Sequence, residues 1–102
     1  MPVCEVSIVP VGTDETSYAD AVERACQPCR ERGVKHTVTS MATILEGPLP
    51  ELLACAQAMH EAVLRGGCQR VVTHIAIDHR TDRPDGAKAA GGDLQRLGQA
   101  RT

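Results

Sequence analysis

From Val3 to Val9 the side chains alternate, Cys4, Val6 and Ile8 to one side and Val3, Glu5, Ser7 and Val9 to the other. That period of two predicts a strand, which Pro10 and Gly12 stop. From about Thr16 or Ser17 the period lengthens. Tyr18, Ala21, Val22, Ala25 and Cys29 fall on one face of a helix that Thr16 or Ser17 can cap, with Glu15 near its positive end. Pro28 is expected to kink or end this helix, because proline lacks the amide donor and crowds the preceding turn. Two strands follow, Val34 to Thr39 and Thr43 to Glu46, joined by Ser40, Met41 and Ala42 as a hairpin loop. Gly47-Pro48-Leu49-Pro50 breaks the chain and opens a second helix, with Pro50 in its first turn. That helix runs to about Arg65, buries Leu52, Cys55, Ala56, Met59 and Val63, and ends at Gly66-Gly67. Gln69 to Asp78 is the fourth strand, the longest and richest in β-branched residues.

The order β-α-β-β-α-β predicts an α+β, ferredoxin-like sandwich: a four-stranded antiparallel sheet with both helices on one face. The opposite face carries Glu5, Ser7, Val9, Thr37, Thr39, Val72, His74 and Asp78, a mixture neither as apolar as a core nor as polar as a free surface. A domain this small buries only about 60–65% of its unfolded surface, so a second subunit is the expected cover. The domain is placed at residues 1–83. Residues 84–102 are rich in glycine, alanine and charge and are expected to form a frayed or weakly docked tail, with Leu94 and Leu97 as its apolar residues.

Composition narrows the functions available. The 102 residues carry 11 basic and 13 acidic side chains, too balanced to favour nucleic acid or an anionic membrane. Tyr18 is the one aromatic residue, which excludes the stacking platforms of small RNA-binding modules. No apolar run approaches the roughly 20 residues of a membrane span, and the N-terminus lacks the pattern of a secretory signal. Cys4, Cys26, Cys29, Cys55 and Cys68 are scattered among mostly apolar neighbours, as suits buried thiols in a reducing cytoplasm. Cys26-Gln27-Pro28-Cys29 lies at the wrong end of its helix for a redox motif and lacks the second ligand pair of a zinc site, so it reads as packing.

The residues with binding chemistry collect at strand ends. Thr43 and Glu46 place a hydroxyl and a carboxylate on one strand; together they suit an aminopyrimidine edge, and the carboxylate also suits a cationic ring. Glu46 is equally suited to a solvated place before the Gly47-Pro48 turn. Pro10-Val11-Gly12-Thr13 precedes a helix N-terminus whose amides, with the Thr13 and Ser17 hydroxyls, favour an acceptor group; a plain turn and cap accounts for the same residues. It lacks the lysine and glycine spacing of a P-loop. His60, His74, Asp78 and His79 are the remaining candidates for enzymatic or metal chemistry, with no serine or cysteine placed by sequence as a nucleophile. Asp78, Arg80, Asp82 and Arg83 read as an ion-pair cluster.

The segments PVGT at 10–13, SMATILEG at 40–47 and IAIDHR at 75–80, with Asp82 and Arg83 beyond, resemble in order and spacing the thiamine-binding protein family, small ferredoxin-like proteins that bind thiamine or its pyrimidine moiety. The resemblance covers about residues 3–88. The family's third-strand signature is matched by Met41, Ala42, Thr43, Ile44, Leu45, Glu46 and Gly47, with Ala42 where the family more often has glycine. Ser17 matches a serine common in its first helix, Asp78-His79-Arg80 its Asp-x-Arg, and Lys88 a following lysine. The resemblance implies a cytoplasmic, non-enzymatic binder of thiamine or hydroxymethylpyrimidine. It implies Thr13, Ser17, Thr39, Thr43 and Glu46 as ligand-binding residues, no metal or cofactor, and a homodimer or homotetramer. The alternatives are an oligomeric enzyme or metal protein using the histidine set, or a structural or regulatory domain without ligand.

Overall fold

The computed structural model describes residues 1–12 and 18–82, and of Tyr18 the backbone alone. Thr13, Ser17 and the tail assigned to 84–102 lie outside the described residues. The elements are β1 (Val3–Pro10), α1 (Tyr18–Arg32), β2 (Lys35–Val38), β3 (Thr43–Glu46), α2 (Leu49–Arg65) and β4 (Val71–Asp78). The strands form one antiparallel sheet in the order β2-β3-β1-β4, the expected ferredoxin-like α+β arrangement.

β1 is central because it carries apolar residues on both faces. Cys4, Val6 and Ile8 face the helices, while Val3 is fully buried on the other side with Ile44 and Ala76. The register pairs Val6 with Thr43 and Ile75, and Val3 with Glu46 and Asp78. The helix-side core joins Cys4 and Val6 to Ala21, Ala25 and Cys29 of α1 and to Leu52, Cys55, Ala56, Met59 and Val63 of α2. The α2 set is the one expected from periodicity.

Pro28 does not end its helix. α1 continues through it for another turn to Arg32. Interior proline costs about 3 kcal/mol, and here Pro28 and Cys29 are both buried, so the turn beyond Ala25 is held by packing rather than by helix propensity. The hairpin differs too. It is closed by the Thr39 amide donating to the Ala42 carbonyl, which leaves Ser40 and Met41 as the tip. Along the helix side of β4, Val71 packs on the core and the Thr73 hydroxyl shares a hydrogen bond of 2.7 Å with His60 Nδ1, whereas Ile75 and Ile77 are close to half exposed.

Candidate functional site

β1 leaves the sheet, the β2–β3 hairpin turns and α1 begins at one end of the molecule. There the first half of α1 stands over β1 and β3 and encloses a cleft lined by Ile8, Ala21, Val22, Val38, Thr39 and Thr43, with Met59 of α2 as part of its floor. None of its described lining residues is charged. The cleft is tight. Its free volume is about 20 Å³, room for about one water.

Thr43 is its buried polar group, at 6% exposure. Its side chain faces the helices because its register partners are Val6 and Val38, and its hydroxyl meets the thiol of Cys26 on α1. Burial pushes that thiol above its ordinary value, opposed by the Arg30 charge and by the hydroxyl itself. Thr39 is differently employed. Its hydroxyl donates to the Ala42 carbonyl at 2.9 Å and accepts from the amides of Met41 and Ala42 at 3.2 and 3.1 Å. All the directions of that hydroxyl are used by the turn, so it shapes the cleft and has little left for a ligand.

Glu46 is elsewhere. Three residues beyond Thr43 on the same strand, it points to the opposite face and sits at the opposite end of the sheet. There it pairs with Lys35 at 3.1 Å, across the β2–β3 ladder. Thr43 and Glu46, read together from the sequence as one hydroxyl-carboxylate pair, therefore do not converge within one chain. Thr13 and Ser17 belong to the connection between β1 and α1, outside the described residues.

The histidine set also separates. His60 is bonded to Thr73 on the helix side, His74 and Asp78 stand on the open face, and His79 follows β4. Among the described residues no three His, Cys, Asp or Glu side chains are grouped to hold a metal ion. One juxtaposition was invisible in the sequence: Ser7 lies directly across from His74, with Glu5 two residues before it on the same face. These three border a shallow open-face hollow of about 240 Å³ with Ile75 and Ala76. Only the β1–β4 register brings them together, and no local signal announces a pairing of residues so far apart.

The model of the family described as thiamine-binding protein matches residues 4–90. The chain belongs to this family. Among its relatives, the UPF0045 protein YqgV of Bacillus subtilis is 38% identical over 87 residues, covering 81% of this chain and 84% of that one. A UPF0045 protein of Methanothermobacter thermautotrophicus is 36% identical over 89 residues, covering 86% and 90%. The crystal structure of the hypothetical protein MJ1052 from Methanocaldococcus jannaschii superposes with a TM-score of 0.76 at 31% identity, covering 95% of each chain. A candidate thiamine biosynthesis/salvage protein from Thermotoga maritima shares the fold, with a TM-score of 0.67 at 18% identity over 86% of this chain and 97% of that one. Membership in the thiamine-binding protein family supports a small-molecule ligand. Among the described residues no helix is long and apolar enough to cross a membrane.

Proposed function

We propose that this protein is a cytoplasmic, non-enzymatic binder of thiamine or its hydroxymethylpyrimidine moiety. The neutral pyrimidine end enters the cleft between α1 and the β2–β3 hairpin. The observation that carries this reading is the buried Thr43 hydroxyl on the wall of a cleft whose described lining is uncharged. A hydroxyl both donates and accepts, which suits the mixed edge of an aminopyrimidine. A permanent cation would find no carboxylate among those lining residues, so a charged ring is better left outside. Because the cleft has room for about one water, binding requires α1 or the hairpin to move outward. The family match and the Thermotoga maritima protein of like fold, a candidate in thiamine biosynthesis or salvage, support the ligand class.

Titration calorimetry with thiamine and with hydroxymethylpyrimidine tests this. The expected Kd is micromolar or better, about −8 kcal/mol. Absence of heat with either compound at millimolar concentration would overturn the reading. Thr43→Val keeps the shape and removes the hydroxyl, and is expected to weaken binding by about 1–3 kcal/mol. Glu46→Gln, on the other face, is expected to leave affinity within about twofold, a change of under 0.5 kcal/mol. A large loss with Glu46→Gln would move the site to the open face.

The same reading has a second copy of the chain covering the open face of the sheet. Val9 is 43% exposed there, and the small apolar cluster of Val3, Ile44 and Ala76 lies further along the same face.

A further inference from the structure

Four of the five cysteines have no part in the proposed binding chemistry, and the fifth, Cys26, has its thiol beside Thr43. The sequence offers Cys26-x-x-Cys29 as the obvious pair, but folding separates their surroundings. Cys26 turns toward β3, while Cys29 lies one turn further along α1, fully buried, with its sulfur 3.5 Å from that of Cys55 on α2. Cys55 is fully buried as well. Alanines at 25 and 56 flank the pair in the same core, so no bulky side chain holds the helices apart there.

We propose that Cys29 and Cys55 form a redox-sensitive pair, which a small two-electron oxidant of the peroxide class converts to an intramolecular disulfide tying α1 to α2. The sulfurs must close from 3.5 Å to about 2.05 Å, a movement of about 1.5 Å shared between two side chains. The chemistry balances without any other participant. Cys55 Sγ attacks one oxygen of hydrogen peroxide, the O–O bond breaks, and water leaves a sulfenic acid behind. Cys29 Sγ then displaces the sulfenic hydroxyl as a second water, so both thiol protons end in water and the peroxide is reduced. The two sulfurs can exchange roles in this sequence and give the same product.

The same burial sets the rate. Desolvation, with Cys55 beside it, pushes the Cys29 thiol up to about 12, so little thiolate exists at neutral pH and the pair reacts more slowly than a free thiol. Full burial of both thiols also bars bulky disulfide reagents more than it bars peroxide. The bond would close a loop that contains all of β2 and β3, and it would join the two helices that wall and floor the cleft.

The test treats the native full-length protein with excess hydrogen peroxide and maps cross-links by non-reducing peptide mass spectrometry. The expected product is a monomeric chain lighter by about 2 Da, with Cys29 and Cys55 in one linked peptide. Its Tm is expected to rise by about 10 °C and to return on reduction with dithiothreitol. Cys26→Ser should keep the linkage, and Cys55→Ser should abolish it. A linkage joining other cysteines, sulfinic or sulfonic acids at Cys29 and Cys55 in place of a bond, or an unmodified protein would each overturn the proposal. If Cys55→Ser does not fold, the linkage map of the unsubstituted protein decides alone. Ligand titration plays no part, so failure here is separate from failure of the binding reading.

Discussion

Thr39 shows how much one side chain decides at this end of the molecule. A two-residue hairpin tip usually needs left-handed backbone angles, supplied by glycine or asparagine. Ser40 and Met41 are neither, and no non-glycine residue among those described has a positive φ. The Thr39 hydroxyl takes over, accepting the amides of Met41 and Ala42 that a standard hairpin turn would leave to its backbone. Thr39→Val is therefore expected to destabilise the fold by about 1–2 kcal/mol and to disorder the hairpin, while Thr39→Ser retains most of the stability. Urea denaturation midpoints check both. Thr39 was legible in the sequence as a polar residue at a strand end, but its role was not, because a turn and a ligand call for the same hydroxyl. For Thr43 and Glu46 the division was implicit in the strand itself, since positions three apart face opposite ways. What could not be read was that the Thr43 side holds the covered cleft and the Glu46 side a lysine.

At the scale of elements, three of them meet at thiols: Cys4 from β1, Cys29 from α1 and Cys55 from α2, all fully buried. Desolvation pushes Cys4 up to about 11 and Cys29 to about 12, from an ordinary value of 9.0. An unfolded chain ionises these groups first. Their contribution to stability is thus whole below about pH 9 and is lost as pH rises through the folded values near 11 and 12. Urea midpoints are expected to fall between about pH 8 and pH 10.5. Cys29→Ala should lower the midpoint at every pH and flatten that alkaline slope. An unchanged slope would mean that other groups carry the dependence. The identity of the elements was legible from periodicity, and so was the buried set of α2, because a 3.6-residue stripe is a local property. The run of α1 past Pro28 was not. It depends on what Cys29 packs against, and that partner lies on another helix.

For the whole molecule, the open face poses the largest question of burial. Val9 and Val72 are cross-strand partners there, and a single chain has both helices on the other side. The protein is expected to be a homodimer or homotetramer, burying at least about 1,200 Å² per interface. Light scattering across a dilution series should show this, and Val72→Lys should shift it toward monomers, because an unpaired charge is costly in a closed interface. A mass near that of one chain at high micromolar concentration would refute it. The sheet order has a consequence for biosynthesis as well. Among the described strands β1 leaves the ribosome first, yet one of its two partners is β4, the last of them, with Val3 joined to Asp78. Translation proceeds at about 5–20 residues per second, so for several seconds the central strand is made and half unpaired. A nascent chain arrested before Val71 should carry that bare edge, bind chaperones and resist compaction. It becomes protease-resistant only once β4 is released into reach, so the quality of each copy is settled when β4 docks on β1.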